Sequence, residues 1–512
     1  TYFKHILNHV LTLLRFKMYN IIKRIINMTL DKENKYRLIS EASKNELKDL
    51  EKLIKIDYWR QIYHIMPKTG LLNDPNGLSF FNGEFHVFFQ WFPFGAIHGI
   101  KHWAHYTSKD MINWVEDERI IIPNEWYESH GAYSGSAVIK DNKLHLLYTG
   151  NVRNENGERE SYQCLAVLDD DVIRKYDGNP VILSQPSGYT SEFRDPKIFI
   201  KNDKYYFVIG SQRIDKTGTV LFYESDTLYN WNFIGELKTK FKNFGYMWEC
   251  PDYFELDNNG IFLFCPQGLV PDNDKCNNLY QSGYSIGNTL DMNSLHFEHG
   301  EFQELDRGFD FYAPQTFQVE NRRILIGWMG LPEIDYPTDK NHWAHCLTIP
   351  RELTLKGKKI IQKPISELKK LRKTKDTFNF NLESEKVDLN MDGLSYELIA
   401  EFSDYDNDFG LELRTGKNEK IVIFYDFYDK QIILDRSSSG KKFALKYGTQ
   451  RKVFFISEKI KFHIFMDHSS IEIFINDGEE VFTSRIFPDK NSRGIRAFSK
   501  GKALINLTKW DI

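Results

Sequence analysis

The stretch LSFFNGEFHVFFQ, Leu78 to Gln90, holds two apolar runs joined by Asn82-Gly83. Asn-Gly between such runs is a strong hairpin signal, because both residues reach positive φ at low cost and the turn then matches the twist of paired strands. The same plan of strand, Asx-rich turn and strand recurs four times further along the chain. It appears in Ser136–Gly150 about Asp141-Asn142 and in Pro196–Gly210 about Asn202-Asp203. It returns in Asp252–Cys265 about Asn258-Asn259-Gly260 and in Pro314–Met329 about Glu320-Asn321. First strands begin near 78, 136, 196, 252 and 314, at intervals of 58, 60, 56 and 62 residues. Antiparallel repeats of this length predict propeller blades. Five of them predict an all-β, five-bladed β-propeller over residues 58–355.

Outward from the repeats the pattern changes. Ser43 followed by Glu46 makes a capping box, and Leu47, Leu50, Leu53 and Ile54 fall at helical spacing, which predicts a helix from about Lys44 to Ile56. Residues 1–57 read as a partly helical N-terminal extension. Its apolar run, Ile6 to Leu14, is broken by Asn8 and His9 and followed by Lys and Arg. That is too short and polar for a membrane span, and it lacks a signal-peptide cleavage site. A basic amphipathic helix on a membrane or partner is the alternative there; Met18 or Met28 would serve as a start, and sequons at Asn27 and Asn506 matter only in a secreted protein. Beyond the repeats, Lys-rich residues 356–375 read as a linker. Alternating strands in 376–512, such as Lys461–Phe465 and Ile471–Ile475 with an Asn476-Asp477-Gly478 turn, predict a β-sandwich. Its edge strands need cover, and packing on the propeller would provide it.

Composition narrows the function classes. Hydrophobic residues make up 41% and mean hydropathy is -0.49, which argues against a membrane protein. A net charge of -4 leaves no electrostatic footprint for nucleic acid. Aromatics at 15% suit pleated β surfaces, and also sugar binding, although packing is the commoner reason. Cys164, Cys250, Cys265, Cys276 and Cys346 are dispersed without paired spacing and read as reduced thiols in a cytoplasmic protein. His102 and His105 share an HxxH spacing, but in extended or loop surroundings, so no metal is expected. The oligomeric state stays open, with a homodimer as one option.

Acids stand just before three of the hairpins: Asp74 in Asn73-Asp74-Pro75-Asn76-Gly77, Asp195 in Phe193-Arg194-Asp195-Pro196, and Glu249 in Trp248-Glu249-Cys250-Pro251. Equivalent positions of successive blades surround one axis, so these acids are expected to converge on a central funnel. Glycoside hydrolysis uses such a convergence, one carboxylate attacking the anomeric carbon while a carboxylic acid protonates the leaving oxygen. Burial or like charge must keep the second protonated. Trp91, Phe92, Trp103, Tyr133, Trp248, Tyr312 and Trp328 are candidate walls of a sugar site, and Asn73 and Gln90 candidate hydrogen-bonders to hydroxyls. Taken singly, Asp before Pro only starts a turn. Calcium on acidic loops is a second explanation, but the spacing is not that of an EF-hand. Their shared place in the repeat is what favours chemistry.

At these residues the chain resembles glycoside hydrolase family 32, the invertases and fructanases. The resemblance rests on His64-x-x-Pro67-x-x-Gly70-x-x-Asn73-Asp74-Pro75-Asn76-Gly77, on Phe193-Arg194-Asp195-Pro196 and on Trp248-Glu249-Cys250-Pro251. Trp103-x-His105, Ser134-Gly135-Ser136-Ala137 and Asp310-Phe311-Tyr312-Ala313-Pro314-Gln315 fall in the expected order, and Phe465-x-Asp467-x-Ser469-Ser470-x-Glu472-x-Phe474 resembles the family's β-sandwich. It spans roughly Tyr58 to Ile512. It implies Asp74 as nucleophile, Glu249 as acid/base, and Asp195 as a transition-state stabiliser that holds fructose hydroxyls and is oriented by Arg194. Expected sugar contacts are Asn73, Gln90, Trp103, Tyr133, Ser134, Arg194, Tyr312 and Trp328, and the resemblance implies no metal or organic cofactor. The family's retaining outcome implies Asp74 and Glu249 carboxyl groups about 5 to 5.5 Å apart. Leu72, Phe92, Ala104 and Tyr133 depart from the usual pattern; of these, Phe92 and Tyr133 bear on pocket polarity.

Within the family, Tyr63-His64-Ile65-Met66-Pro67 and His98-Gly99-x-Lys101-x-Trp103 look most like the intracellular sucrose-6-phosphate hydrolases. That implies a small sugar substrate, sucrose-6-phosphate or plain sucrose, with short fructans next. His98 and Lys101 become candidates for a phosphate-facing cation pair, against the plainer reading that they decorate a loop. Fructosyl transfer and a non-catalytic carbohydrate-binding propeller are the competing functions. The presence of all three acids argues against the second.

Overall fold

The computed structural model describes residues 35–43, 45–169 and 171–512. The basic helix, the alternative starts and the sequon read in residues 1–34 lie outside them. The described chain is mostly β, and no described helix is long and apolar enough to cross a membrane.

Each expected hairpin is present. Strands Gly70–Phe81 and Glu84–Phe92 pair about Asn82 (φ 49) and Gly83 (φ 78). Asp141 and Asn142 (φ 50 and 56) and Asn202 and Asp203 (φ 51 and 59) turn in the same left-handed way. The fourth turn is Asp257-Asn258 (φ 48 and 61), one residue earlier than expected, because Asn259 already pairs with Leu256. Asn and Asp bear positive φ better than other side-chain-bearing residues, which is why they recur there.

The hairpins grow into five antiparallel sheets. Their first strands are Gly70–Phe81, Ala132–Lys140, Tyr189–Lys201, Met247–Leu256 and Tyr312–Val319. Each of these packs against the next, and the last packs against the first. Trp343–Ala344 also joins the first sheet, in parallel to Gly70–Phe81. The expected linker is corrected. Lys359–Pro364 is a strand of the fifth sheet, paired with Arg351–Lys356, because Ile360 and Ile361 are buried beneath the surface lysines that gave the segment its composition. The N-terminal helix runs Glu46–Lys55 and buries Leu50 and Ile54. Only half of the capping box forms: the Ser43 amide donates to the Glu46 carboxylate at 3.2 Å.

The C-terminal part is a β-sandwich of two six-stranded sheets closed over an apolar core that includes Leu398, Leu411, Ile464 and Ile505. Its edge strand Glu480–Arg485 is covered by the segment joining the fourth and fifth sheets. The Arg307 amide donates to the Val481 carbonyl at 2.7 Å and the Phe309 amide to the Thr483 carbonyl at 2.8 Å. Buried ion pairs reinforce this contact: Arg351 bridges Asp306 and Glu472, and Arg436 meets Asp310. A buried charge needs such partners to offset its lost hydration.

Candidate active site

In all five first strands the ladder slips at a shared place, and the first and third slip once more. The irregularity falls between Leu72 and Pro75, between Ala132 and Gly135, opposite Val208–Gly210 in the third, between Glu249 and Asp252, and between Tyr312 and Gln315. Pro75, Pro196, Pro251 and Pro314 stand there in four of the five, and a residue without an N–H breaks a ladder of necessity. Asp195, Cys250 and Ala313 take left-handed conformations (φ 69, 46 and 46) beside those prolines. A bulge of this kind re-aims neighbouring side chains, so consecutive residues such as Arg194 and Asp195 both face one cavity. The expected equivalence of the three acids is thereby corrected. Counted from the proline, Asp74 and Asp195 share a position, while Glu249 stands one residue earlier, level with Asn73, Arg194 and Tyr312.

Asp74, Asp195 and Glu249 line a single cavity of about 630 Å3. Ser134 donates its hydroxyl to Asp74 Oδ2 at 2.5 Å, and Gln90 Nε2 reaches the same oxygen at 3.2 Å. Asn73 Nδ2 donates to Asp74 Oδ1 at 3.0 Å and to Gln90 Oε1 at 3.0 Å. Burial pushes the Asp74 carboxyl up; Ser134 and Asn73 oppose it, the Glu249 charge adds to it, and the net direction is upward. Glu249 is gripped on both oxygens. Arg194 Nε and Nη2 donate to Oε1 at 3.0 and 2.7 Å, and Tyr312 and Gln267 donate to Oε2 at 2.5 and 2.8 Å. Asp195 Oδ2 accepts the Cys250 amide at 3.0 Å. Burial raises the Asp195 carboxyl most; Arg194 pulls it down and the Glu249 and Asp74 charges push it up again, leaving it well above the usual range. Burial and mutual repulsion thus raise the proton affinity of both Asp74 and Asp195. Acid-assisted glycosyl cleavage calls for an attacking carboxylate and a proton donor close together.

Of the expected sugar contacts, Asn73, Gln90, Tyr133, Arg194, Tyr312 and Trp328 line the cavity. Trp103 does not. It is 0% exposed, packs between Phe88 and Tyr148, and donates its indole N–H to the Tyr133 carbonyl at 3.0 Å. It shapes the site from behind, as does Ser134, which is buried and spends its hydroxyl on Asp74. Trp91, Phe92 and Trp248 also sit in the apolar core, because both faces of these inner strands are covered. The concern about Phe92 and pocket polarity lapses with them, while Tyr133 keeps its place.

His98 and Lys101 both line the cavity, but not as a pair of cations. Lys101 Nζ lies 3.1 Å from His98 Nδ1. Burial and the Lys101 charge hold the imidazole well below its ordinary range, so a neutral ring faces the Lys101 nitrogen. Burial brings Lys101 itself down to about 7 against the opposing pull of Asp74. The two histidines at HxxH spacing are structural: His102 accepts the Ile39 amide at 3.1 Å, and His105 stacks on Phe88. Sequence reasoning missed Gln267, Arg159, Glu192 and Tyr280, which also line the cavity. Gln267 had a signal: it lies two residues beyond Cys265, the cross-strand partner of Glu249, and so shares its face.

Comparison with known proteins places most of the chain within one family. The glycosyl hydrolases family 32 N-terminal domain matches residues 64–364 and the family 32 C-terminal domain residues 367–511. The sucrose-6-phosphate hydrolase of Staphylococcus xylosus is 43% identical over 94% of this chain and 98% of its own length. Among solved structures, the sucrose-6-phosphate hydrolase of Lactobacillus gasseri is 35% identical, with a TM-score of 0.88 over 94% of this chain and 99% of that one. A Bombyx mori family 32 β-fructofuranosidase variant in complex with sucrose is 34% identical, with a TM-score of 0.79 over 92% of this chain and 98% of its own.

Proposed function

The chain belongs to glycosyl hydrolase family 32, and from that premise we propose that it is a retaining β-fructofuranosidase acting on sucrose-6-phosphate and sucrose. The observation that carries this reading is the shared cavity of Asp74, Glu249 and Asp195. Asp74 attacks the anomeric carbon of the fructosyl unit, and Glu249 gives its proton to the departing glycosidic oxygen. Water then enters on the vacated side, Glu249 takes a proton from it, and the Asp74 ester is hydrolysed. Asp195, with its raised proton affinity, holds sugar hydroxyls through the oxocarbenium-like transition state. Arg194 and Tyr312 orient Glu249 from opposite oxygens. The names of the relatives support the phosphorylated substrate, and five free thiols are compatible with a reducing, cytoplasmic setting.

The five sheets are, in this proposal, the blades of a five-bladed propeller. Their first strands follow one another in cyclic order, and the parallel addition of Trp343–Ala344 ties the end of the domain to its beginning. In this proposal the propeller passes into the sandwich within residues 356–375, a reading supported by the family models ending at 364 and beginning at 367. The deciding experiment is product analysis with the purified protein at high sucrose. Equimolar glucose and fructose is the expected result; mainly kestose-type oligosaccharides would overturn hydrolysis in favour of fructosyl transfer.

A further inference from the structure

Strands Lys143–Arg153 and Arg159–Asp169 are antiparallel partners, and their last paired rung sets Arg153 directly opposite Arg159. Like charges facing each other across a ladder destabilise it, so an arginine pair at this place invites an anion. Arg159 lines the cavity. Its Nη1 donates to Glu192 Oε2 at 3.1 Å, while among the described residues its buried Nε has no partner. Glu192 does not neutralise the cluster. The same carboxylate oxygen also receives Arg194, and although burial opposes it, the charges of Arg194, Arg159 and Arg153 hold Glu192 below the usual carboxylate range. Two guanidinium groups therefore contact one carboxylate, Arg194 being already committed to Glu249, while Arg153 adds its charge from beyond them with one nitrogen donating to the Gly157 carbonyl at 3.2 Å. Lys35 adds to the same rim: its charge and that of Arg153 reinforce burial in lowering His130, whose Nδ1 accepts the Arg153 amide at 3.1 Å.

The position of this cluster matters as much as its charge. Contacts run from Arg159 to Glu192, from Glu192 to Arg194 and from Arg194 to Glu249, so the cluster flanks the acid/base. In a double displacement the leaving group departs on the acid/base side, opposite the nucleophile. Lys101 instead feels Asp74, on the side of the fructosyl unit. We propose that Arg153 and Arg159 form the recognition site for a phosphate monoester carried by the leaving sugar. This rests on the reading of the protein as a β-fructofuranosidase. The planar forks of two arginines match a phosphate dianion in geometry and charge, and the dianion relieves the repulsion between them.

The test compares kcat/KM on sucrose-6-phosphate and sucrose for the parent, Arg153→Gln and Arg159→Gln, with inorganic phosphate as a second probe. Arg153 is exposed, so its replacement should leave the fold intact, with sucrose turnover measured alongside as the reference. The phosphorylated substrate should lose about tenfold in kcat/KM, chiefly through KM, as expected for one charged contact. For Arg159→Gln, the ratio of the two efficiencies should fall by about tenfold to a hundredfold. Inorganic phosphate should compete with sucrose-6-phosphate in the parent and lose that competition in both variants. Equal parental efficiency on the two substrates would overturn the phosphorylated-substrate reading, and the arginine assignment with it. A parental preference that survives both substitutions would overturn the assignment alone. Noncompetitive inhibition by phosphate would place its site away from the substrate and also refute the proposal.

Discussion

His64 offers the sharpest test of how the two parts of the molecule are joined. Its side chain is fully buried, with Nδ1 2.9 Å from Asp467 Oδ2 and Nε2 3.0 Å from Glu472 Oε1 of the sandwich. Only a doubly protonated ring can donate to both carboxylates. Burial alone would discharge it, but the two hydrogen bonds outweigh that and push its pKa up to about 9 from 6.5. At 1.36 kcal/mol per pKa unit this corresponds to about 3 kcal/mol held by the charged ring, with no discount for solvent because all three side chains are fully buried. The folded pKa is raised, so this stability is fully present below pH 6.5, declines between 6.5 and about 9, and is lost above. In His64→Gln the carboxylates keep other donors: the Ile62 and His468 amides for Asp467, and Arg351 with the Ile349 amide for Glu472. Both therefore remain ionised across that range. Denaturant unfolding of parent and variant at pH 6, 7.5 and 9.5 should show a gap of about 3 kcal/mol at pH 6 that narrows as pH rises. A gap of constant size from pH 6 to 9.5 would show that the ring is not charged and would refute the clamp.

Other consequences concern the cavity. Asp74→Asn should lower fructose release by about 10^4-fold or more, as loss of a nucleophile does elsewhere; a variant keeping a tenth of parental kcat would remove Asp74 from that role. Tyr312→Phe deletes the 2.5 Å hydrogen bond to Glu249 and should cost about tenfold to a hundredfold in kcat/KM, with unchanged thermal unfolding; a full loss of fold would mean the hydroxyl acts in packing. Proton NMR of the first turnovers should show β-fructofuranose ahead of its mutarotation products, since two displacements retain configuration. The α-anomer appearing first would make the enzyme inverting.

Much of this architecture is legible in particular residues. Asn82-Gly83, Asp141-Asn142 and Asn202-Asp203 mark their hairpins because positive φ is a local demand that few residue types meet. The Asp-Pro pairs at Asp74 and Asp195 mark the bulges for an equally local reason, the missing N–H of proline. Distance along the chain hid the rest. Nothing near Trp103 says that it lies behind Tyr133 instead of beside the sugar, since that depends on which face of its strand the next sheet covers. Nothing near His64, Asp310, Asp467 or Glu472 says that these motif residues bind the two halves together and stand outside the chemistry.

By itself, then, the sequence determined the β class, the hairpin repeats and the three acids, all of which follow from short-range backbone preferences and residue type. Tertiary structure alone decided that Trp103 lies behind the cavity wall and that His98 packs against Lys101. It alone also set Arg153 opposite Arg159 at the rim. Each of these depends on strand register and on burial, which are properties of segments brought together and cannot be read from either segment alone.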